Sequence, residues 1–176
     1  MGRRHLTEEP HLLCGVCAGI VGGLAASWVM NQFLAGVSKA TEMVKEQQGN
    51  QQPQKEEQEE DSTVKVADAV ASSVTGEHLS QEQKTIGGPI VHYAFGGLMG
   101  GVYGGVAEYF PASRAGFGTL FGSGLFAGAD LVAVPALGLS KLPTEQPATD
   151  HASHWAAHIV YGATVELVRR GVRQIF

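Results

Sequence analysis

From Pro10 to Ser38 the chain runs 29 residues without a Lys, Arg, Asp or Glu. A helix rises about 1.5 Å per residue, so roughly 20 apolar residues cross the hydrocarbon of a bilayer. Three further runs follow. Ile86 to Ala107 is uncharged over 22 residues. Ala115 to Ser140 is interrupted by one acid, Asp130. His151 to Val168 is 18 residues long and carries three histidines and Glu166. A single run of this kind also suits a buried core helix. Four in one chain of 176 residues predict an all-α integral membrane bundle of four transmembrane helices.

The first run resembles a signal peptide in its basic start, Met1-Gly2-Arg3-Arg4, and in the small residues from Gly22 to Ser27. Glu8 and Glu9 stand where a signal peptide carries positive charge, and the apolar run continues to Val37, so a retained helix is the reading. Four spans put both termini and the turn Phe110 to Ala115 on one side. That side holds Arg3, Arg4, Arg114, Arg169, Arg170 and Arg173 close to helix ends. The other side has Lys39, Lys45, Lys84 and Lys141 near the ends, with Lys55 and Lys65 remote. Basic residues concentrate on the cytoplasmic side, so the termini are expected there.

Charge divides the chain into three parts: 1–37 with the first span, a polar insert over 38–85, and 86–176 with three spans and a basic end. The insert holds 10 of the 17 acidic and 5 of the 12 basic residues but only 2 of the 24 glycines. The remainder is therefore charge-balanced, which excludes a basic nucleic-acid binder. Gln47 to Asp61 is Gln-rich and acidic, has no large apolar residue, and predicts disorder. Ser38 to Glu46 can extend the first helix into water. In Thr63 to Thr75, residues Val64, Ala67, Val70, Ala71 and Val74 recur at helical spacing, which predicts a short amphipathic helix lying on the membrane surface or on the bundle.

The glycines repeat at packing intervals. Gly15, Gly19 and Gly23 fall four apart in the first run, and Gly96, Gly100 and Gly104 in the second, beside a parallel stripe of Gly97, Gly101 and Gly105. The third run has Gly118/Gly122 and Gly124/Gly128. Such stripes let helix backbones approach closely in lipid. They serve packing within one chain or a glycine-zipper homo-oligomer. There is also an internal echo: Tyr103-Gly104-x-x-x-Glu108 closes the second run and Tyr161-Gly162-x-x-x-Glu166 the fourth. With the shared openings Gly15/Gly19 and Gly118/Gly122, this suggests a helical hairpin duplicated in parallel orientation.

Ionisable groups in a span are costly and need partners. The candidates for a polar pathway are His92, Glu108, Asp130, His154, His158 and Glu166. Counting along the helices puts Glu108 and Glu166 level with Arg114, Arg169 and Arg170, which suits either ion pairing or the mouth of a pathway. Asp130 lies roughly 23 Å from the Ala115 end, His92 about 24 Å from Glu108 and His154 about 18 Å from Glu166, so all three share the opposite half. A cluster of His92, Asp130 and His154 is the expectation, with His158 and Tyr161 on the His154 stripe. Histidines that titrate near neutral pH would suit a proton or ion path; a satisfied network that locks the bundle is the alternative.

No other chemistry stands out. Cys14 and Cys17 match C-x-x-C, but no His follows and no strand–helix context surrounds them, so they read as small packing residues. No metal spacing, phosphate loop or nucleophile setting is evident; no cofactor, metal or enzymatic activity is expected.

The segments Gly87-Gly-Pro-Ile-Val-His92-Tyr-Ala-Phe-Gly96, Tyr103-Gly104…Glu108, His154-Trp155-Ala-Ala-His158-Ile-Val-Tyr161-Gly162 and Gly-Gly-Leu-Ala-Ala-Ser-Trp28-Val-Met-Asn31 resemble the YagU-like family of bacterial inner-membrane proteins. The resemblance covers most of the chain outside Gln47 to Asp61. It implies a multi-pass inner-membrane protein of unknown function and carries no catalytic or ligand residues with it. The reading is thus a membrane protein whose partner is the lipid bilayer: a proton or small-solute pathway or acid-stress protein, or else a structural protein with no transport.

Overall fold

The computed structural model describes residues 11–47 and 60–175. The predicted disorder of Gln47 to Asp61 falls mostly outside them, as do Arg3 and Arg4. Among the described residues the chain is all helical. Helix α1 spans Leu12–Gln47, α2 Ser62–Thr75 and α3 Gln81–Tyr109. A 3₁₀ segment, Pro111–Gly118, leads into α4 at Thr119–Leu125. That helix continues as a π-helix over Phe126–Ala133 and closes with an α-helical turn, Val134–Ala136. A short 3₁₀ turn at Pro143–Glu145 precedes α5, Ala148–Arg173.

Local chemistry sets these boundaries. Asp61 caps α2 by accepting the Thr63 N–H at 2.8 Å, and Gly76 ends it in the left-handed conformation at φ 79°. Ser80 and Gln83 form a reciprocal capping box that starts α3. Between α3 and α4 the chain reverses through Gly116, Phe117 and Gly118, whose φ values are 67°, 56° and 81°. Gly118 is required twice over, because a methyl group there would also overlap the Gly162 carbonyl of α5.

Glycine contacts assemble the helices. Gly15, Gly19 and Gly23 of α1 lie against Gly104, Gly100 and Gly96 of α3, so the two helices run antiparallel with backbones touching. A neighbouring face of α1 packs on α5, where Gly22 meets Val165. Gly118 and Gly122 bring α4 onto Gly162 and His158 of α5. Residues Ala26, Met30, Tyr103, Ala107, Ala157 and Tyr161 form the core with Val165, and Phe121 fills it from α4. The amphipathic helix α2 sits on the first half of α3, with Val64 over Gly88 and Ala67 over Gly87.

The distribution of side-chain size is inverted relative to a domain in water. Small residues fill the helix contacts, while Leu98, Val132 and Leu167 are 60%, 63% and 61% exposed. Trp28, Ile90 and Leu120 also point outward. An apolar exterior this broad needs a cover. Two helical segments, Leu12–Gln47 and Pro111–Ala136, are long and apolar enough to cross a membrane.

Candidate functional site

Two polar clusters occupy opposite halves of the bundle. The first is an arginine–glutamate network where α3 ends and α5 makes its last turns. Glu166 is fully buried and accepts Arg169 Nε at 2.8 Å, Arg170 Nε at 2.6 Å and the Tyr103 hydroxyl at 3.0 Å. Glu108 lies against Gly15 and accepts Arg173 Nε at 3.0 Å; Arg169 Nη1 approaches it at 3.4 Å. Arg169 thus bridges both carboxylates and joins α3 to α5. The spacing of Glu166, Arg169, Arg170 and Arg173 along one helix makes this possible, because residues three, four and seven apart share a face. Arg114 was expected beside the carboxylates; instead its Nε donates to the Ala107 carbonyl at 2.8 Å, and Nη2 donates to the same oxygen. It thereby satisfies one of the free carbonyls at the α3 terminus.

The second cluster centres on Asp130, inside the π-helix of α4. Its Oδ2 lies 3.6 Å from His154 Nδ1 and its Oδ1 3.8 Å from His158 Nε2. Two imidazoles from one face of α5 therefore flank one carboxylate. The Trp155 indole N–H donates to Ser123 at 3.1 Å and fixes α4 against α5 beside them. A π-helix widens the turn and re-aims the residues after it, a device frequent at functional sites. Asp130 is turned toward α5 in this way.

His158 has only one neutral tautomer that fits. Its Nδ1 sits 2.8 Å from the His154 carbonyl oxygen, which can only accept, so Nδ1 carries a hydrogen. Nε2 of the neutral ring then presents a lone pair to the Asp130 carboxylate.

Of the candidate residues, Asp130, His154 and His158 are together, and Glu108 and Glu166 are joined through Arg169. His92 is separate. It lies on α3 one turn before Gly96, while α3 packs on α1 and α4 packs on α5. Its Nε2 is buried without a hydrogen-bond partner, and its ring meets Tyr93 edge-on. Between the two clusters the bundle is filled by aromatic rings: Phe121 lies 4.6 Å from Tyr103 and 6.4 Å from Tyr161. The Tyr161 hydroxyl donates to the Gly96 carbonyl at 2.5 Å. Cys14 and Cys17 are unbridged thiols on α1. No group of three metal-ligating side chains occurs among the described residues.

The echo in the sequence is matched by contacts. Gly15 touches Gly104 and Glu108, and Gly118 touches Gly162 and Glu166. Twelve residues after Gly15 stands Ser27, pressed on Gly96; twelve after Gly118 stands Asp130, facing His154. Gly96 and His154 are each eight residues before the paired glycine, Gly104 or Gly162. The Asp–His–His cluster thus occupies the position that small, close-packed residues fill in the first hairpin. Sequence inspection named His158 as part of a stripe but did not select it as the partner of Asp130. The signal available was this register.

No curated protein and no solved structure matches the chain. A family model described as "Protein of unknown function (DUF1440)" matches residues 37–167, which take in the insert, α3, α4, the Asp130 cluster and most of α5. On that match over most of its length, the chain belongs to the DUF1440 family of proteins of unknown function.

Proposed function

We propose that this chain is a four-span protein of the bacterial inner membrane, similar to the YagU-like family, that binds a proton at Asp130–His154–His158 and hands it across the bundle without enzymatic chemistry. One observation carries the reading: a carboxylate flanked by two imidazoles within a long apolar segment, with the neutral tautomer of one ring fixed by the His154 carbonyl.

α3 and α5 complete the four spans. Each carries ionisable residues only near its ends or in the buried seams, with large apolar side chains outward. Tyr161 and Tyr103 lie between His158 and Glu166, so hydroxyl groups line the seam joining the clusters. Among the described residues the four arginines fall at one end of the bundle and the five lysines at the other, which supports cytoplasmic termini.

The test is proton flux in proteoliposomes under a pH gradient. Wild type is expected to exceed empty liposomes, and Asp130→Asn and His158→Gln to fall to background; His92→Ala reports whether the isolated imidazole contributes. Equal, background-level flux in wild type and variants removes the pathway.

A structural role is the second reading. It is favoured by the saturation of Glu108 and Glu166 by three arginines and by the backbone-to-backbone glycine contacts. Gly124 and Gly128, which touch nothing within 4 Å, would then offer a seam for a second copy. That reading gains if Asp130→Asn changes stability or oligomeric state and leaves flux at background throughout.

A further inference from the structure

The charges at the terminal end of the bundle do not cancel. Glu108 and Glu166 pair with Arg169, Arg170 and Arg173, and a fourth cation, Arg114, lies at the same end on the Ala107 carbonyl. Two guanidinium charges are in excess, and the geometry shows where they are available. Arg114 spends Nε and Nη2 on a neutral backbone carbonyl and has no carboxylate within ion-pair distance among the described residues. Arg170 shares Glu166 with the buried Arg169, and its own side chain is 49% exposed. Its guanidinium lies 4.7 Å over the Phe117 ring, in the same Pro111–Gly118 segment that carries Arg114.

The surroundings are those of a membrane–water boundary. Tyr109, Phe110 and Phe117 are 51%, 66% and 39% exposed beside these arginines. Aromatic rings of this kind settle at headgroup depth, and the cytoplasmic leaflet is rich in anionic lipid. A guanidinium binds a phosphate through paired, charge-assisted N–H donors.

We propose that this corner of the bundle binds the phosphate of an anionic phospholipid headgroup, with Arg114 and Arg170 as the two binding cations and Phe117 as the platform that holds Arg170. The proposal rests on the membrane reading but not on proton transfer. It concerns residues at the opposite end from Asp130.

The test uses the full chain in a neutral maltoside detergent, titrated with phosphatidylglycerol or phosphatidylcholine and read by native mass spectrometry. Each guanidinium near such a surface favours the anionic lipid about fivefold. Wild type should therefore retain phosphatidylglycerol at least fivefold over phosphatidylcholine. Arg114→Gln should cut the preference several-fold, and the double variant with Arg170→Gln should bring it to about one. Arg170→Lys with Arg114→Lys keeps the charges and should keep most of the preference; this guards against misfolding, since Arg170 also pairs with Glu166. Equal retention of the two lipids, or a preference that survives the double Gln variant, overturns the proposal. So does displacement of the lipid by inorganic phosphate at low millimolar concentration, which would make the site one for free anions. The membrane reading fails separately, if the chain stays monodisperse without detergent.

Discussion

At the scale of single residues, the strongest constraints are glycines that touch a neighbouring backbone. A Cβ on Gly100 would overlap the Gly19 carbonyl of α1, and neither backbone can yield without parting the helices. Gly100→Ala should cost about 1–3 kcal/mol by overpacking. Gly124→Ala, which meets open space, should be neutral. Thermal unfolding in detergent, both variants against wild type, measures the difference. The Glu166 carboxylate is the second such constraint. Removing its charge leaves Arg169 and Arg170 without their shared counter-ion, so Glu166→Gln should lose about 3–5 kcal/mol. Tyr103→Phe removes one hydrogen bond to the same group and should lose about 1–2 kcal/mol. The sequence made the glycine stripes legible because four-residue spacing fixes a helix face. It did not reveal that Arg114 turns to a carbonyl of its own hairpin, since that depends on the left-handed reversal at Gly116 to Gly118.

At the scale of elements, α2 is the piece held by ionisable contacts in water. Asp68 accepts the Leu79 N–H at 2.7 Å and pairs with His78 Nδ1 at 2.7 Å, which ties α2 to the start of α3. The Leu79 N–H foremost, and then His78, hold the Asp68 carboxyl below its ordinary range. Its folded pKa is lower than its unfolded one, so its contribution is complete above the unfolded value, about 3.9, and is lost as pH falls through the folded value. Amide exchange of α2, corrected for intrinsic rates, should show constant protection from pH 7 to about 5 and a decline below about 4. Asp68→Asn should lower the neutral-pH protection and flatten the acid decline. The helix itself was legible, because Val64, Ala67 and Ala71 mark its inner face. The position of Asp130 was less so. Periodicity gives the face and depth of each helix but not which helix lies beside which, and the π-helix shifts the register just where the face was being counted. Hence counting groups His92 with Asp130 by depth, whereas the rings that come within 4 Å of the Asp130 carboxylate are those of His154 and His158.

At the scale of the whole molecule, charge is segregated along the long axis. Among the described residues the four arginines and the five lysines separate between the two ends, and the lysine end also bears most of the acids. Single cysteines introduced at Gln174 and Glu77, in a background with Cys14 and Cys17 changed to Ser, should react with an impermeant thiol reagent from opposite faces of oriented membranes. Labelling of both from one face would exclude the three spans that the four-span reading puts between Glu77 and Gln174. Two of the four apolar runs, within Leu12–Gln47 and Pro111–Ala136, were legible as helices long and apolar enough to cross a membrane, and the inverted placement of large and small side chains follows from the same sequence. The order of helices around the core was legible only through the paired glycines.

Helix α1 is longer than a bilayer requires. Its 36 residues reach about 54 Å, against roughly 30 Å of hydrocarbon. With its first turn level with the arginine end, the last four or so turns would, on the proposed membrane reading, rise clear of the lipid like a mast, and they are exposed on all sides from Lys39 onward. On the proposed membrane reading, the described residues up to Gln47 would reach about two screening lengths beyond the headgroups, at about 8 Å each in physiological salt. What is displayed there is sensed as an isolated object, largely independent of the charge on the membrane below.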